Sequence, residues 1–130
     1  MSEPQSNPKK ILIVEDNNFV RMQIVKFLQA EGFETVEGMN GDEALQKMDS
    51  SIDLAIVDVR MEPINGFEFI KVIRADEYKT PVILVTGDQD PELLSDASRM
   101  GVAAVLMKPV QRERLIKTVV RTIETLARKH

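Results

Sequence analysis

The chain has 130 residues, 43% hydrophobic and 29% charged, which describes one globular domain able to bury roughly two-thirds of its unfolded surface and excludes a chain disordered throughout. It has no cysteine, which excludes a disulfide framework and any thiolate metal site. A net charge of −4 argues against direct nucleic-acid binding, which usually needs a basic face.

Residues 1–8 are polar, with two prolines and little to bury, so a flexible tail is expected ahead of a single domain over 9–130. No apolar run approaches the roughly 20 residues of a membrane span and no signal-peptide core is present; a cytoplasmic protein without membrane insertion is expected. Ile11 to Val14 is a fully apolar strand ending in Glu15-Asp16-Asn17-Asn18. Asp16 to Asn18 offer N-caps for a helix to about Glu31, closed by Gly32. Val20, Ile24, Phe27 and Leu28 share one helical face, and Phe19, Met22 and Val25 form a second apolar stripe partly off it.

Phe33 to Glu37 reads as a weaker strand, followed by a turn over Gly38 to Asp42 and a short helix through Ala44, Leu45 and Met48. Leu54 to Val57 is a strand buried on both faces, ending in the carboxylate of Asp58. A loop to Gly66 then leads into a third helix, through Phe67, Phe69, Ile70 and Ile73 to about Glu77. Pro81 opens the strand Val82 to Val85, which ends in Thr86-Gly87-Asp88. Pro91 suits the first turn of a fourth helix through Leu93, Leu94, Ala97 and Met100, stopped at Gly101. The strand Ala103 to Met107 ends at Lys108-Pro109. The last helix, about Gln111 to Ala127, repeats Leu115, Val119, Ile123 and Leu126. From Lys108 to His130 there are seven basic residues against two acidic, leaving 10 basic and 19 acidic in the remainder. Such a basic last helix is most simply a solvated face with cations near its C-terminus.

Five β-α units in strict alternation, with apolar non-alternating strands, predict an α/β fold: a five-stranded parallel sheet with five helices on both faces. All strand carboxyl ends then lie on one edge, where open α/β sheets carry their chemistry. Glu15-Asp16, Asp58, Thr86 and Lys108 fall on that edge. Singly, each has a bland role: the acids as caps, Thr86 as a satisfied hydroxyl, Lys108 as a solvated lysine. Together they have complementary chemistry. Clustered carboxylates raise one another's pKa unless a cation sits among them, and an oxygen-only donor set selects Mg²⁺ or Mn²⁺. A carboxylate there can act as nucleophile toward a phosphoryl group, whose oxygens need donors in place. Lys108 and Thr86 can supply them.

These features resemble the receiver domain of two-component response regulators, of the single-domain chemotaxis type with its flavodoxin-like doubly wound (βα)5 fold. The resemblance rests on Glu15-Asp16, Asp58-Val59-Arg60-Met61 with Gly66 eight residues after Asp58, Thr86-Gly87 and Lys108-Pro109. It spans about Lys9 to Ala127. It implies that Asp58 is the phosphoacceptor, and that Asp16 and Asp58 bind Mg²⁺ directly. Glu15 would act through water, and the Arg60 backbone carbonyl would be a further ligand. Thr86 and Lys108 would hold phosphoryl oxygens, and the Lys108–Pro109 peptide would be cis. The donor would be a phosphohistidine on a sensor histidine kinase or phosphotransfer protein, and the recipient a downstream protein target or output domain. Such a domain is no enzyme beyond self-phosphotransfer and autodephosphorylation.

Two departures from the family pattern stand out. Glu62 follows Met61, so that Pro63 comes one place late. Val105 occupies the position three before Lys108, where many relatives place Tyr or Phe. Without a ring to turn inward, the signal is expected to travel through the loops near Thr86 and the fourth helix. Arg60 and Asp88, each two residues beyond a site residue, are expected to pair across the mouth of the site. The Phe19, Met22 and Val25 stripe is equally a kinase-docking patch or the flank of the core. Other readings are a receiver excised from a longer DNA-binding or enzymatic regulator, and a receiver that binds partners without being phosphorylated. A phosphatase of the haloacid-dehalogenase-like kind would want a second Asp where Arg60 stands, and the only histidine is His130.

Overall fold

In a computed structural model, which describes residues 9–128, strand and helix alternate without exception. The elements are β1 (Lys10–Val14), α1 (Asn18–Ala30), β2 (Glu34–Gly38), α2 (Gly41–Lys47) and β3 (Leu54–Asp58). They continue with α3 (Gly66–Ala75), β4 (Val82–Thr86), α4 (Pro91–Arg99), β5 (Ala104–Met107) and α5 (Arg112–Arg128). The strands pair in parallel in the order β2-β1-β3-β4-β5, which is the expected doubly wound, flavodoxin-like sheet. The tail expected over 1–8, and residues 129–130, lie outside the described residues.

The continuous apolar runs are explained by two cores, one on each face of the sheet. Leu12, Val14, Ala55, Val57, Val82 and Leu84 pack with Ala44 of α2, Phe69, Ile70 and Ile73 of α3, and Leu93 and Ala97 of α4. Their sequence neighbours Ile11, Ile13, Leu54, Ile56, Ile83 and Val85 point the other way, onto Ile24 and Leu28 of α1 and Leu115 and Val119 of α5. Because strand side chains alternate faces, a polar residue inside any of these runs would be buried without water. Polar chemistry is therefore confined to the strand ends.

Helix caps account for the other polar residues near the strand ends. Asn17 caps α1 by accepting the Val20 N–H at 3.0 Å, and Asn65 caps α3 in a reciprocal capping box with Glu68. Asp90 caps α4, with Pro91 in its first turn. Neither Asp16 nor Asp58 is thus used as a cap.

Several boundaries differ from the sequence expectation. The second strand begins at Glu34, because the Phe33 N–H bonds the Leu28 carbonyl at 3.1 Å and so belongs to the turn that closes α1 over Gly32, φ +90°. It ends at Gly38, paired with Val14. α3 stops at Ala75 and not near Glu77, since Glu77 itself takes a left-handed φ of +70° and returns its N–H to Arg74. The Lys108–Pro109 peptide is cis, as expected, and so is Glu62–Pro63.

Candidate functional site

Strand register sets the site. Val14 of β1 lies opposite Val57 of β3, so the next residues, Glu15 and Asp58, are neighbours on the central pair of strands. On the other side Asp58 pairs with Val85, one residue before Thr86, and Thr86 pairs with Met107, one before Lys108. Glu15, Asp58 and Thr86 are all buried, at 1%, 5% and 1% exposure.

The Lys108 ammonium reaches across β4 into this group. Its Nζ stands 3.1 Å from Glu15 Oε1 and 3.4 Å from Asp58 Oδ2. The Asn17 N–H donates to Glu15 Oε2 at 3.1 Å, whereas buried Oε1 meets the Lys108 ammonium at ion-pair distance and has no other polar partner among the described residues. Glu15, exposed Asp16 and Asp58 each offer a carboxylate oxygen within 4.8 Å of the others. An oxygen-only set whose buried Glu15 Oε1 is met by a single ammonium suits a hard divalent cation that keeps some of its water. Thr86 Oγ1 accepts the Asp88 N–H at 3.0 Å, which leaves its own hydrogen free to donate. Arg60, expected to add its carbonyl, lines with Asp16 a cleft of about 760 Å³ beside these acids. Glu62 lines the same cleft and is exposed, as are Asp90 and Glu92.

Burial pushes the Glu15 carboxyl up to about 7; the Asn17 N–H opposes this, the Asp58 charge adds to it and Lys108 opposes it. Burial alone would lower the Lys108 pKa, but Asp58 and Glu15 together outweigh it and hold the ammonium above its usual value. In the unfolded chain a Glu ionises near 4.5. With a raised folded pKa, the contribution of Glu15 is complete below about 4.5 and is lost as pH rises to about 7. The metal-free protein is therefore expected to lose on the order of 1–3 kcal/mol between pH 5 and 7.5 from this group. Urea midpoints at the two pH values check this, with Glu15→Gln expected to flatten the difference; an equal slope in the variant would refute it.

Arg60 and Asp88 pair, as their offsets from Asp58 and Thr86 predict. The Arg60 hydrogen bond, then that of the Asp90 N–H, holds the Asp88 carboxyl below its usual value. The pair bridges the β3–α3 and β4–α4 loops at the mouth of the site. Arg60 is exposed and Asp88 half-buried, so the pair contributes little to stability; its place between the two loops is expected to hinder water at Asp58. If Asp58 accepts a phosphoryl group, as the resemblance implies, Arg60→Ala should change its lifetime severalfold with Tm shifted by no more than about 1–2 °C. An unchanged dephosphorylation rate would rule out the role.

The sequence reading missed Arg21. It is 6% exposed, on the same face of α1 as Ile24 and Leu28, and its Nη1 donates to the Glu15 backbone carbonyl at 2.8 Å. The three-residue stripe on α1 divides: Val25 packs against the core, whereas Phe19 and Met22 are exposed. Val105 is half-buried and packs on the α2–α4 side of the sheet.

The geometry matches a known family. A family model of the response regulator receiver domain matches residues 11–120. The chain is 31% identical over 116 residues to the chemotaxis protein CheY of Bacillus subtilis, covering 88% of this chain and 97% of that one. It is 33% identical over 115 residues, 85% of its length, to the CAI-1 autoinducer sensor kinase/phosphatase CqsS of Vibrio cholerae, but spans only 17% of that protein. The CheY-like receiver domain structure from Methanospirillum hungatei superposes with a TM-score of 0.88 at 24% identity, covering 95% of this chain and 99% of that one, a likeness of fold. No helix among the described residues is long and apolar enough to cross a membrane. With that sheet order, and an acid group at the carboxyl edge, this chain belongs to the response regulator receiver domain family.

Proposed function

We propose that Asp58 accepts a phosphoryl group in a Mg²⁺-dependent reaction from a phosphohistidine on a sensor histidine kinase or phosphotransfer protein. The resulting acyl phosphate switches a surface that binds a downstream protein or output domain. The observation that carries this reading is the Asp58 carboxylate itself. It is buried at the end of the central strand, free of any capping role, 3.4 Å from the Lys108 ammonium and grouped with Glu15 and Asp16.

The residues divide the work. Asp58 attacks phosphorus through a carboxylate oxygen: an O–P bond forms, the P–N bond of the donor breaks, and the imidazole leaves with a proton from solvent. Lys108 holds one phosphoryl oxygen by charge, and Thr86 donates its free hydroxyl hydrogen to another. Asp16, Asp58 and the Arg60 carbonyl, with Glu15 acting through water, would hold the Mg²⁺ (Mn²⁺ would serve as well). Bound there, the ion supplies positive charge for the phosphoryl oxygens as they approach three carboxylates. In the reverse role, water attacks the phosphorus, the O–P bond to Asp58 breaks, and phosphate leaves with the carboxylate restored. The same chemistry serves a free-standing receiver and one joined to a DNA-binding or enzymatic output domain.

Incubation with Mg²⁺ and acetyl phosphate, followed by intact mass measurement, tests the reading. A phosphate-sized gain is expected in the wild type and none in Asp58→Asn. No gain in the wild type would leave a receiver that binds partners unphosphorylated.

A further inference from the structure

Arg21 sits near the N-terminal end of α1, where the helix dipole disfavours a cation. It is also buried, where an ionised group is costly unless well supplied with acceptors. Its fork of donors is filled from three segments. Nη1 bonds the Glu15 carbonyl at 2.8 Å, Nε bonds Glu37 Oε1 at 3.0 Å and Nη2 bonds Asn18 Oδ1 at 2.6 Å. Glu37 is itself tied down, because Lys47 of α2 donates to its backbone carbonyl at 2.6 Å. The Glu15 N–H in turn bonds the Gly38 carbonyl of β2 at 3.1 Å. Both backbone polar groups of Glu15 are thus fixed, one by the end of β2 and one by an arginine that the same strand end holds. The residue so fixed carries the buried Oε1 whose polar neighbour is the Lys108 ammonium, and Asp16 follows it directly.

A burial this expensive, spent on one carbonyl of a loop, is explained by what the loop bears. We propose that Arg21, braced by Glu37, is a positioning residue that sets where the Glu15 and Asp16 carboxylates stand and so fixes the affinity of the acid group for a divalent cation. A simple core brace would have no reason to end on the Glu15 carbonyl; hydrophobic residues such as Ile24 and Leu28 already fasten α1 to the sheet. Groups that orient metal ligands typically change metal affinity by 10- to 100-fold when removed. The role rests on the function proposed above and deepens it.

The test is Mg²⁺ titration by calorimetry, at a temperature where circular dichroism shows each variant folded, together with the rate of phosphoryl gain from acetyl phosphate as Mg²⁺ is varied. Arg21→Met is expected to weaken Mg²⁺ binding about tenfold. Its maximal rate at saturating Mg²⁺ should stay within about threefold of wild type, because Asp58, Thr86 and Lys108 are untouched. Arg21→Lys, with charge but no fork, should recover part of the affinity, and Glu37→Gln should lose about two- to fivefold. If Arg21→Met does not fold, these two milder variants decide the matter. Mg²⁺ affinity within twofold of wild type in every folded variant would overturn the positioning role alone. So would a loss of rate that saturating Mg²⁺ does not restore. A wild type that binds no Mg²⁺ and gains no phosphoryl group would overturn the proposed function and this role with it.

Discussion

Gly66→Ala is expected to destabilise the domain by about 2 kcal/mol, although glycine to alanine in a helix usually does the opposite. A Cβ on Gly66 would stand 2.7 Å from the Asp58 carbonyl oxygen, 3.0 Å from Val59 Cα and 3.2 Å from Val57 Cγ1. Two of these are backbone atoms of the strand end and cannot rotate away, so α3 must retreat or β3 must bend. The opposing gains, from helix propensity and a stiffer unfolded chain, are each worth up to about 1 kcal/mol, and the first is reduced because Gly66 opens the helix. Overpacking typically costs about 1–3 kcal/mol, occasionally more, and against backbone the upper end applies. Gly66 also donates its N–H to the Val59 carbonyl at 2.9 Å, so the displacement would be felt at Asp58. Gly87→Ala is the internal control. It adjoins Thr86 in the same region, its Cβ would meet nothing within 4 Å, and its effect should stay within about 0.5 kcal/mol. Urea midpoints read both variants. A Gly66→Ala protein as stable as wild type would mean that the strand end yields, and that the eight-residue spacing from Asp58 is not set by this contact.

How far the fold and the site are legible in the sequence follows from the same separation of strands and strand ends. A strand inside a parallel sheet, covered on both faces and paired on both sides, admits no polar residue along its run, so Ile11 to Val14, Leu54 to Val57 and Val82 to Val85 announce themselves, whereas edge strand β2 carries Glu34, Thr35 and Glu37. The first polar residue after each is a candidate by position alone. That is why Glu15, Asp58 and Thr86 could be named and why the structure gathers them. The Arg60–Asp88 pair was legible too, because equal offsets from neighbouring strand ends bring two loops together. Arg21 was not. Its spacing from Ile24 and Leu28 places it on the buried face of α1, but a lone arginine in such a stripe ordinarily snorkels to water. What keeps it in is a backbone carbonyl and a carboxylate on another element, neither of which has any sequence signature. Element ends were misjudged for a related reason. Glu77 takes a left-handed turn that glycine or asparagine would have signalled, and Phe33 looks like a strand residue while its N–H serves α1.

Lys108→Ala is expected to slow phosphoryl gain by about 10²- to 10³-fold, the usual cost of removing one preorganised donor from a site of developing negative charge. Lys108 also competes with any cation for Glu15 and Asp58, being 3.1 and 3.4 Å from their oxygens. Its removal should therefore leave Mg²⁺ affinity unchanged or raise it. Opposite movements of affinity and rate are the signature of a phosphoryl-holding lysine. A lysine that merely neutralised the acids would, once removed, be replaced in that task by the bound ion, and the rate would hardly change. Lys108→Arg should not restore the rate fully, since a planar fork on a different stem presents its charge differently to an oxygen that the compact ammonium can reach. The charge itself is secure over the accessible pH range, because Asp58 and Glu15 hold the Lys108 ammonium above its usual pKa. A pH dependence of the wild-type rate near 7 would therefore not report on loss of the Lys108 proton. Initial rates with acetyl phosphate at saturating Mg²⁺, set beside a Mg²⁺ titration of the same variant, separate the two roles. A Lys108→Ala rate within about threefold of wild type would assign the lysine to charge balance alone.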